Sequence, residues 1–145
     1  MSTDLAPRIA ATLDELVGAA TDRVEVRTAD AKSGAYFERL RIDGVPHFLK
    51  VLSDGDDWIM RVTGNDSHWE FKAWQAGIYA EMPSVIDHTV VGMALEQDAG
   101  PARLSILMVD CAADLVPFGD DPVPALHHAG WIVWVPETRR RAATW

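Results

Sequence analysis

The dipeptide Asp43-Gly44 is the feature that most narrows the folds open to this chain, because it separates two runs of alternating apolar and polar residues. The runs cover residues 36–42 and 45–52. Asp-Gly between such runs is a strong short-range signal for a β-hairpin with a two-residue turn. Residues 23–29 alternate in the same way. The sequence therefore predicts an antiparallel three-stranded meander over these segments.

The rest of the chain adds helices and two further strands. Apolar residues at three- and four-residue steps predict a helix over residues 5–18, with Thr3 or Asp4 as its cap. A second helix is predicted over residues 68–81, capped by Asn65-Asp66-Ser67 and ending before Pro83. The remaining predicted elements are strands over 85–97 and 103–109 and a linker over 110–124. The predicted fold class is α+β, a five-stranded antiparallel sheet with an inserted helix, preceded by an N-terminal helix.

Composition and charge exclude several classes of protein. With 145 residues and 48% hydrophobic residues, the chain is expected to form one ordinary domain or one lobe of a larger protein. No apolar run approaches the ~20 residues that span a bilayer, and no secretory signal is evident. A single cysteine, Cys111, excludes an internal disulfide framework. These features predict a cytoplasmic protein. The net charge of −9 argues against binding to nucleic acids or to anionic membranes.

The last fifteen residues differ from the rest of the chain. Residues 1–130 hold 10 basic and 21 acidic residues, whereas residues 131–145 hold Arg139, Arg140 and Arg141 against Glu137. Three of the six tryptophans also lie there. This change predicts a boundary between a body over residues 1–124 and an atypical tail over residues 125–145.

Lys50 and Glu70 form the best candidate site. Lys50 lies in the third predicted strand, and Glu70 lies in the first turn of the helix that follows. If the strand and the helix pack together, the two side chains would form an ion pair and aim the ammonium group at an anion. Phosphoryl transfer requires such a cation against the nucleotide phosphates. The alternative is that Lys50 is an ordinary exposed lysine and that Glu70 only favours the helix N-terminus.

The order of these elements resembles the small lobe of aminoglycoside phosphotransferase and choline-kinase-like proteins, which share the protein-kinase fold. The resemblance runs from Arg23 to about Pro124. Phe48-Leu49-Lys50-Val51 is similar to the strand with the phosphate-binding lysine, and His68-Trp69-Glu70-Phe71 to the helix with the glutamate. Pro83-Ser84-Val85 resembles the stretch that leads into the fourth strand, and Leu107-Met108-Val109-Asp110 resembles the hinge.

The resemblance implies a nucleotide-binding lobe of a kinase that uses ATP or GTP and phosphorylates a small hydroxylated molecule, such as an aminoglycoside or an amino alcohol. The residues that it implicates in binding the nucleotide are Ser33, Gly34, Lys50, Glu70, Met108, Val109 and Asp110. The glycine-rich loop of protein kinases is absent, and only Ser33-Gly34 occupies its place. Val109 stands where the family has an acidic hinge residue.

The residues that would catalyse the reaction are missing from this sequence. In the family, the catalytic aspartate and the magnesium ligands come from the large lobe, and no matching motif follows the hinge here. We therefore expect no catalytic residue, no metal site and no turnover by this chain alone, and Mg²⁺ only together with a large lobe. Residues 125–128 resemble the start of that lobe, so the sequence predicts a truncated or frame-shifted product, or a divergent ending.

Two other functions remain open. The chain is alternatively a non-catalytic domain that binds a protein partner or itself through the surface that a large lobe would cover. It is also compatible with an unrelated α+β ligand-binding domain in which Lys50 and Glu70 are incidental. His127-His128 is a poor metal site because adjacent histidines point in different directions, and Cys111 has no histidine partner in sequence that would make it a nucleophile.

Overall fold

A six-stranded mixed sheet organises the described part of the chain. The computed structural model describes residues 8–27, 36–55, 57–65, 68–83, 88–97 and 100–112. The strands are β1 (Ile9–Ala10), β2 (Thr21–Glu25), β3 (Tyr36–Ile42), β4 (Val45–Ser53), β5 (Val90–Glu96) and β6 (Arg103–Val109). Their order across the sheet is β1-β5-β6-β4-β3-β2, and β1 alone is paired in parallel, with β5.

The predicted α+β class is confirmed. The predicted five-stranded antiparallel sheet is wrong, because a sixth strand, β1, pairs in parallel with β5. Ile9 and Ala10 pair with Met93 and Ala94 instead of continuing a helix. The helix that follows, α1 (Leu13–Val17), is short. It begins at Thr12, whose side chain accepts a hydrogen bond from the Glu15 amide, while the Glu15 carboxylate accepts one from the Ala11 amide. This reciprocal capping fixes the start of α1 well after the caps predicted at Thr3 or Asp4.

The predicted hairpin is present in the expected register. Ile42 pairs with Val45, so Asp43 and Gly44 form a two-residue turn. Both turn residues have positive φ, 51° and 78°, as the turn type that favours Asp-Gly requires. The predicted strand over 23–29 begins earlier, at Thr21, and β2 carries an irregularity between Thr21 and Val24, where Asp22 also has positive φ.

The helix predicted over residues 68–81 is divided into a helix, α3 (Trp69–Gln75), and a 3-10 turn. An additional short helix, α2 (Trp58–Thr63), lies between β4 and α3 and is capped by the Asp57 side chain. Gly77, with a φ of 75°, separates α3 from a 3-10 turn at Ile78–Glu81. The Asn65 side chain accepts a hydrogen bond from the Trp69 amide, so part of the predicted cap is present.

Each face of the sheet packs a separate hydrophobic cluster. Alternation along β4 directs Leu49 and Val51 to one face and Lys50 and Leu52 to the other. We call the first the α1 face, because Leu49 and Val51 pack with Leu16 of α1. The second is the α3 face, where the cluster consists of Leu52, Met60, Trp74, Met93, Leu104 and Ile106.

The chain divides into two compact units, and the whole sheet lies in the first. That unit comprises residues 1–82 and 88–110, and the second comprises residues 83–87 and 111–145. Of the second unit, the structure describes only Pro83, Cys111 and Ala112, and Cys111 is exposed. The predicted tail over residues 125–145 lies outside the described residues. No helix in the described ranges is long and apolar enough to cross a membrane.

Candidate functional site

Lys50 lies near the middle of β4 on the α3 face of the sheet. Its register partners are Phe37 of β3 and Ile106 of β6, and its side chain is half-buried. Leu52, two residues further along the same face, packs in the cluster with Trp74 of α3. The strand and the helix therefore meet on the same side of the sheet as Lys50.

Glu70 of α3 has a different partner from the one predicted. Its Oε2 atom accepts a hydrogen bond of 2.9 Å from Asn65 Nδ2, in the turn before α3. None of the ion pairs within the described ranges joins Glu70 to Lys50. In this structure Glu70 is thus bonded to Asn65, and the expected ion pair with Lys50 is not among the contacts given for the described residues. The role of both residues in phosphate binding stays a prediction.

The position of Glu70 also affects Tyr79, in the 3-10 turn that follows α3. Burial raises the pKa of the Tyr79 hydroxyl, and the Glu70 carboxylate raises it further, since a nearby negative charge disfavours the phenolate. Tyr79 contacts the Trp74 ring edge-on, with centroids 5.3 Å apart. Glu70 therefore lies at the polar border of the α3 cluster.

Two phenylalanines, which the sequence analysis did not identify, lie beside Lys50. The rings of Phe37 and Phe48 have centroids 5.9 Å apart and an angle of 32° between their planes. Phe37 is directly opposite Lys50 in the ladder, and Phe48 is two residues before it on the same face. Counting outwards from the Ile42–Val45 pair would have placed these residues together, because a two-residue turn sets the register of the whole hairpin.

The predicted hinge residues end β6. The amide of Val109 donates to the Thr89 carbonyl at 2.9 Å, and the amide of Asp110 donates to the Pro46 carbonyl at 3.0 Å. The Asp110 carboxylate pairs with Arg39 of β3 at 3.1 Å. A base that bound along Met108–Asp110 could not use these two amides, so it would need carbonyl groups or side chains there. Ser33 and Gly34, the predicted phosphate loop, lie outside the described residues.

The clearest buried ionic group lies on the other face of the sheet. Glu38 of β3 is 2% exposed. It pairs with the guanidinium of Arg23 through both carboxylate oxygens and accepts a hydrogen bond from the Tyr36 hydroxyl at 2.9 Å. Hydrogen bonds from Arg23 hold the pKa of Glu38 below its ordinary value, against the opposing effect of burial. The group is fully bonded within the fold, so its role is structural.

The comparisons with known proteins identify no relative. The chain matches no protein-family model, and neither curated proteins nor solved structures give a significant match. Among the described residues, no three His, Cys, Asp or Glu side chains are grouped so as to hold a metal ion.

Proposed function

We propose that the described unit is the nucleotide-binding small lobe of a phosphotransferase that acts on a small hydroxylated molecule. The observation that carries the proposal is the position of Lys50. A half-buried cation lies on an otherwise largely apolar stretch of the α3 face, beside Phe37 and Ile106. An ammonium group at such a position offers a partly desolvated positive charge to the phosphates of a nucleotide.

The chemistry available around Lys50 suits ATP or GTP. The ammonium group would neutralise part of the phosphate charge, and the Phe37–Phe48 pair offers an apolar surface next to it for the less polar part of the ligand. Charge neutralisation and positioning are the main contributions that a protein makes to phosphoryl transfer. Among the described residues, no group of three or more His, Cys, Asp or Glu side chains could hold a magnesium ion. The proposed function of this unit is thus binding, and transfer would need a large lobe.

Nucleotide-dependent thermal stabilisation of the full chain tests this proposal. A ligand at about 100 times its Kd stabilises the folded state by roughly 2.7 kcal/mol. ATP and GTP should raise the Tm of the wild type and leave that of Lys50→Ala unchanged. Lys72→Ala is the matched control, because Lys72 is exposed on α3 and its Nζ lies 5.7 Å from the centre of the Trp69 ring. Equal stabilisation of wild type and Lys50→Ala, or none of either, would contradict the proposal.

The predicted Lys50–Glu70 ion pair can be tested in the same assay. If the pair forms when phosphate binds, Glu70→Ala should weaken nucleotide binding more than Glu81→Ala, which removes an exposed carboxylate from the neighbouring 3-10 turn. If Glu70→Ala and Glu81→Ala bind nucleotide equally well, Glu70 has no part in the site, and its bond to Asn65 is its only role.

Self-association is a second candidate function, supported by exposed apolar side chains on α2 and α3. Trp58 and Val62, one turn apart on α2, are 54% and 74% exposed, and Trp69 at the start of α3 is 65% exposed. Contiguous exposed apolar patches are typical of surfaces that bind other proteins. Sedimentation velocity should show a mass that rises with concentration and does not respond to nucleotide. Trp58→Ser should abolish that rise, whereas a monomer at every concentration would exclude this function.

A further inference from the structure

An ion pair between Arg39 and Asp110 lies on the same face of the sheet as Lys50. The Nε atom of Arg39 is 3.1 Å from Asp110 Oδ2. Phe37 is directly opposite Lys50 in the ladder, and Arg39 follows Phe37 by two residues. Because side chains alternate along a strand, Arg39 points to the α3 face with both of them. The pair therefore belongs to the surface on which the proposed nucleotide site lies.

The backbone at the end of β6 does not offer its amides to a base. The Val109 amide donates to the Thr89 carbonyl, and the Asp110 amide donates to the Pro46 carbonyl. A base at this position would therefore be recognised mainly through side chains. Arg39, as a donor, and Asp110, as an acceptor, lie at this end of β6.

The ion pair with Asp110 orients the guanidinium of Arg39 and engages its Nε atom. Within the described ranges, no further ion pair or hydrogen bond engages the two Nη groups of Arg39. The Arg39 side chain is 53% exposed, so a ligand can reach these groups. A guanidinium presents its donors in a fixed, planar fork, which binds best to two neighbouring acceptors.

Guanine is the purine whose edge matches such a fork. Its O6 and N7 atoms are neighbouring acceptors, and arginine donates to both in the commonest base-specific contact of DNA-binding proteins. Adenine has an amino group in place of O6, so a donor would face a donor and one of the two hydrogen bonds would be lost. A guanidinium held in this way therefore favours guanine over adenine.

The two phenylalanines connect Arg39 with Lys50. Phe48 is opposite Arg39, and Phe37 is opposite Lys50, so the four side chains form a two-by-two block on the α3 face. Arg39 and Lys50 are diagonal neighbours in this block, at a spacing of about 7–8 Å. Nucleobases stack readily on aromatic rings. A nucleotide with its base at Arg39 and Phe48 would extend its phosphates toward Lys50.

We propose that this site selects GTP over ATP, and that Arg39 makes the selection by donating to O6 and N7 of guanine. The proposal rests on the proposed function, because the phosphates must bind at Lys50. The Asp110 carboxylate, whose side chain is 15% exposed, holds the guanidinium in place. A good bidentate contact of this kind favours the matching base at least about fivefold.

Calorimetric titration of the full chain with four nucleotides tests which atoms of the base are recognised. GTP should bind at least about fivefold more tightly than ATP. Inosine triphosphate keeps O6 and N7 but lacks the 2-amino group, so its Kd should be close to that of GTP. The analogue 7-deaza-GTP lacks N7, so it should lose most of the advantage over ATP. Inosine triphosphate that bound as weakly as ATP would overturn the proposal.

Arg39→Gln should remove the preference for GTP and favour ATP, because glutamine pairs with N6 and N7 of adenine. Arg41→Gln is the matched control. Arg41 lies on the same strand and face, and its Nη1 donates to the Gly44 carbonyl at 2.8 Å, so the preference should remain. Circular dichroism checks that both variants are folded, and should Arg39→Gln fail to fold, 7-deaza-GTP decides the outcome with the wild type.

The outcomes separate this proposal from the proposed function. If the wild type binds GTP and ATP equally and Lys50→Ala binds neither, the selection by Arg39 is overturned and the nucleotide site remains. A preference for GTP that Arg39→Gln leaves unchanged would have the same meaning. No binding of either nucleotide by the wild type would overturn both.

Discussion

Replacing Glu38 with glutamine should destabilise the first unit more than any exposed substitution. Glu38→Gln keeps the size of the side chain and removes the charge that pairs with Arg23. Breaking a buried ion pair by removing one partner costs about 3–5 kcal/mol. Because the Arg23 side chain is 43% exposed, water can solvate the remaining guanidinium, and we expect a smaller loss of about 2 kcal/mol. For a domain of this size, that loss lowers the Tm by roughly 10 °C.

The pH dependence of this loss has a definite sign. The pKa of Glu38 is lowered in the folded state, chiefly by the hydrogen bonds from Arg23. The ionised group therefore stabilises the fold fully above the unfolded pKa of about 4.3. This stabilisation is lost as the pH falls from there through the lower pKa of the folded state. Glu38→Gln lacks this pH-dependent stabilisation. The difference in unfolding free energy between the variant and the wild type should therefore become smaller at acid pH.

Urea denaturation followed by tryptophan fluorescence measures both effects. The matched control is Glu25→Gln, because Glu25 is opposite Glu38 in the ladder but is 50% exposed and paired with exposed Arg27. Surface pairs of this kind contribute about 0–1 kcal/mol, so the control should remain close to wild type. If Glu38→Gln were as stable as Glu25→Gln at neutral pH, the buried group would not contribute as described.

Three further predictions concern packing and capping. Gly92→Ala should lower the free energy of unfolding by about 1–3 kcal/mol, because a Cβ there would lie 2.9 Å from Leu16 Cδ1 and 3.3 Å from the Arg8 carbonyl oxygen. An unchanged midpoint in urea unfolding would mean that α1 does not pack tightly against β5. Ser105→Ala should leave the Tm unchanged or raise it, since the buried hydroxyl has no partner, and a clear fall in Tm would show that it has one. Asp57→Ala should cost about 1 kcal/mol or more in a chemical melt, because Asp57 Oδ1 accepts hydrogen bonds from the amides of Ile59 and Met60, and an unchanged midpoint would contradict this capping role.

The sequence predicted those parts of the fold that depend on local patterns. Asp43-Gly44 specified its turn and the register of β3 with β4, because both depend on neighbouring residues. Strand β1 could not be predicted in the same way. It has only two residues, which show no periodicity, and its partner in β5 lies more than eighty residues away. The break in the second helix depended on Gly77, whose positive φ was not evident from the apolar spacing.

The same distinction between local patterns and contacts of distant segments applies to the candidate site. The face on which Lys50 lies follows from alternation along one strand, which is visible in the sequence. The partner of Glu70 depends on how the chain turns between α2 and α3, and α2 itself was not predicted. The use of the Val109 and Asp110 amides depends on Thr89 and Pro46, from two other parts of the sheet. Contacts between segments distant in sequence have no local signature.

The parallel pairing of β1 with β5 has a consequence for how the chain is made. Residues 9 and 10 leave the ribosome early, but the strand with which they pair emerges much later. Until then, Leu16 and Val17 of α1 lack the neighbours that β5 and β6 supply, among them Ala94 and Leu107. Pairings between distant segments slow folding, so the nascent chain would expose these side chains during synthesis. We therefore expect the N-terminal segment to be the part most open to chaperones before the last strands are translated.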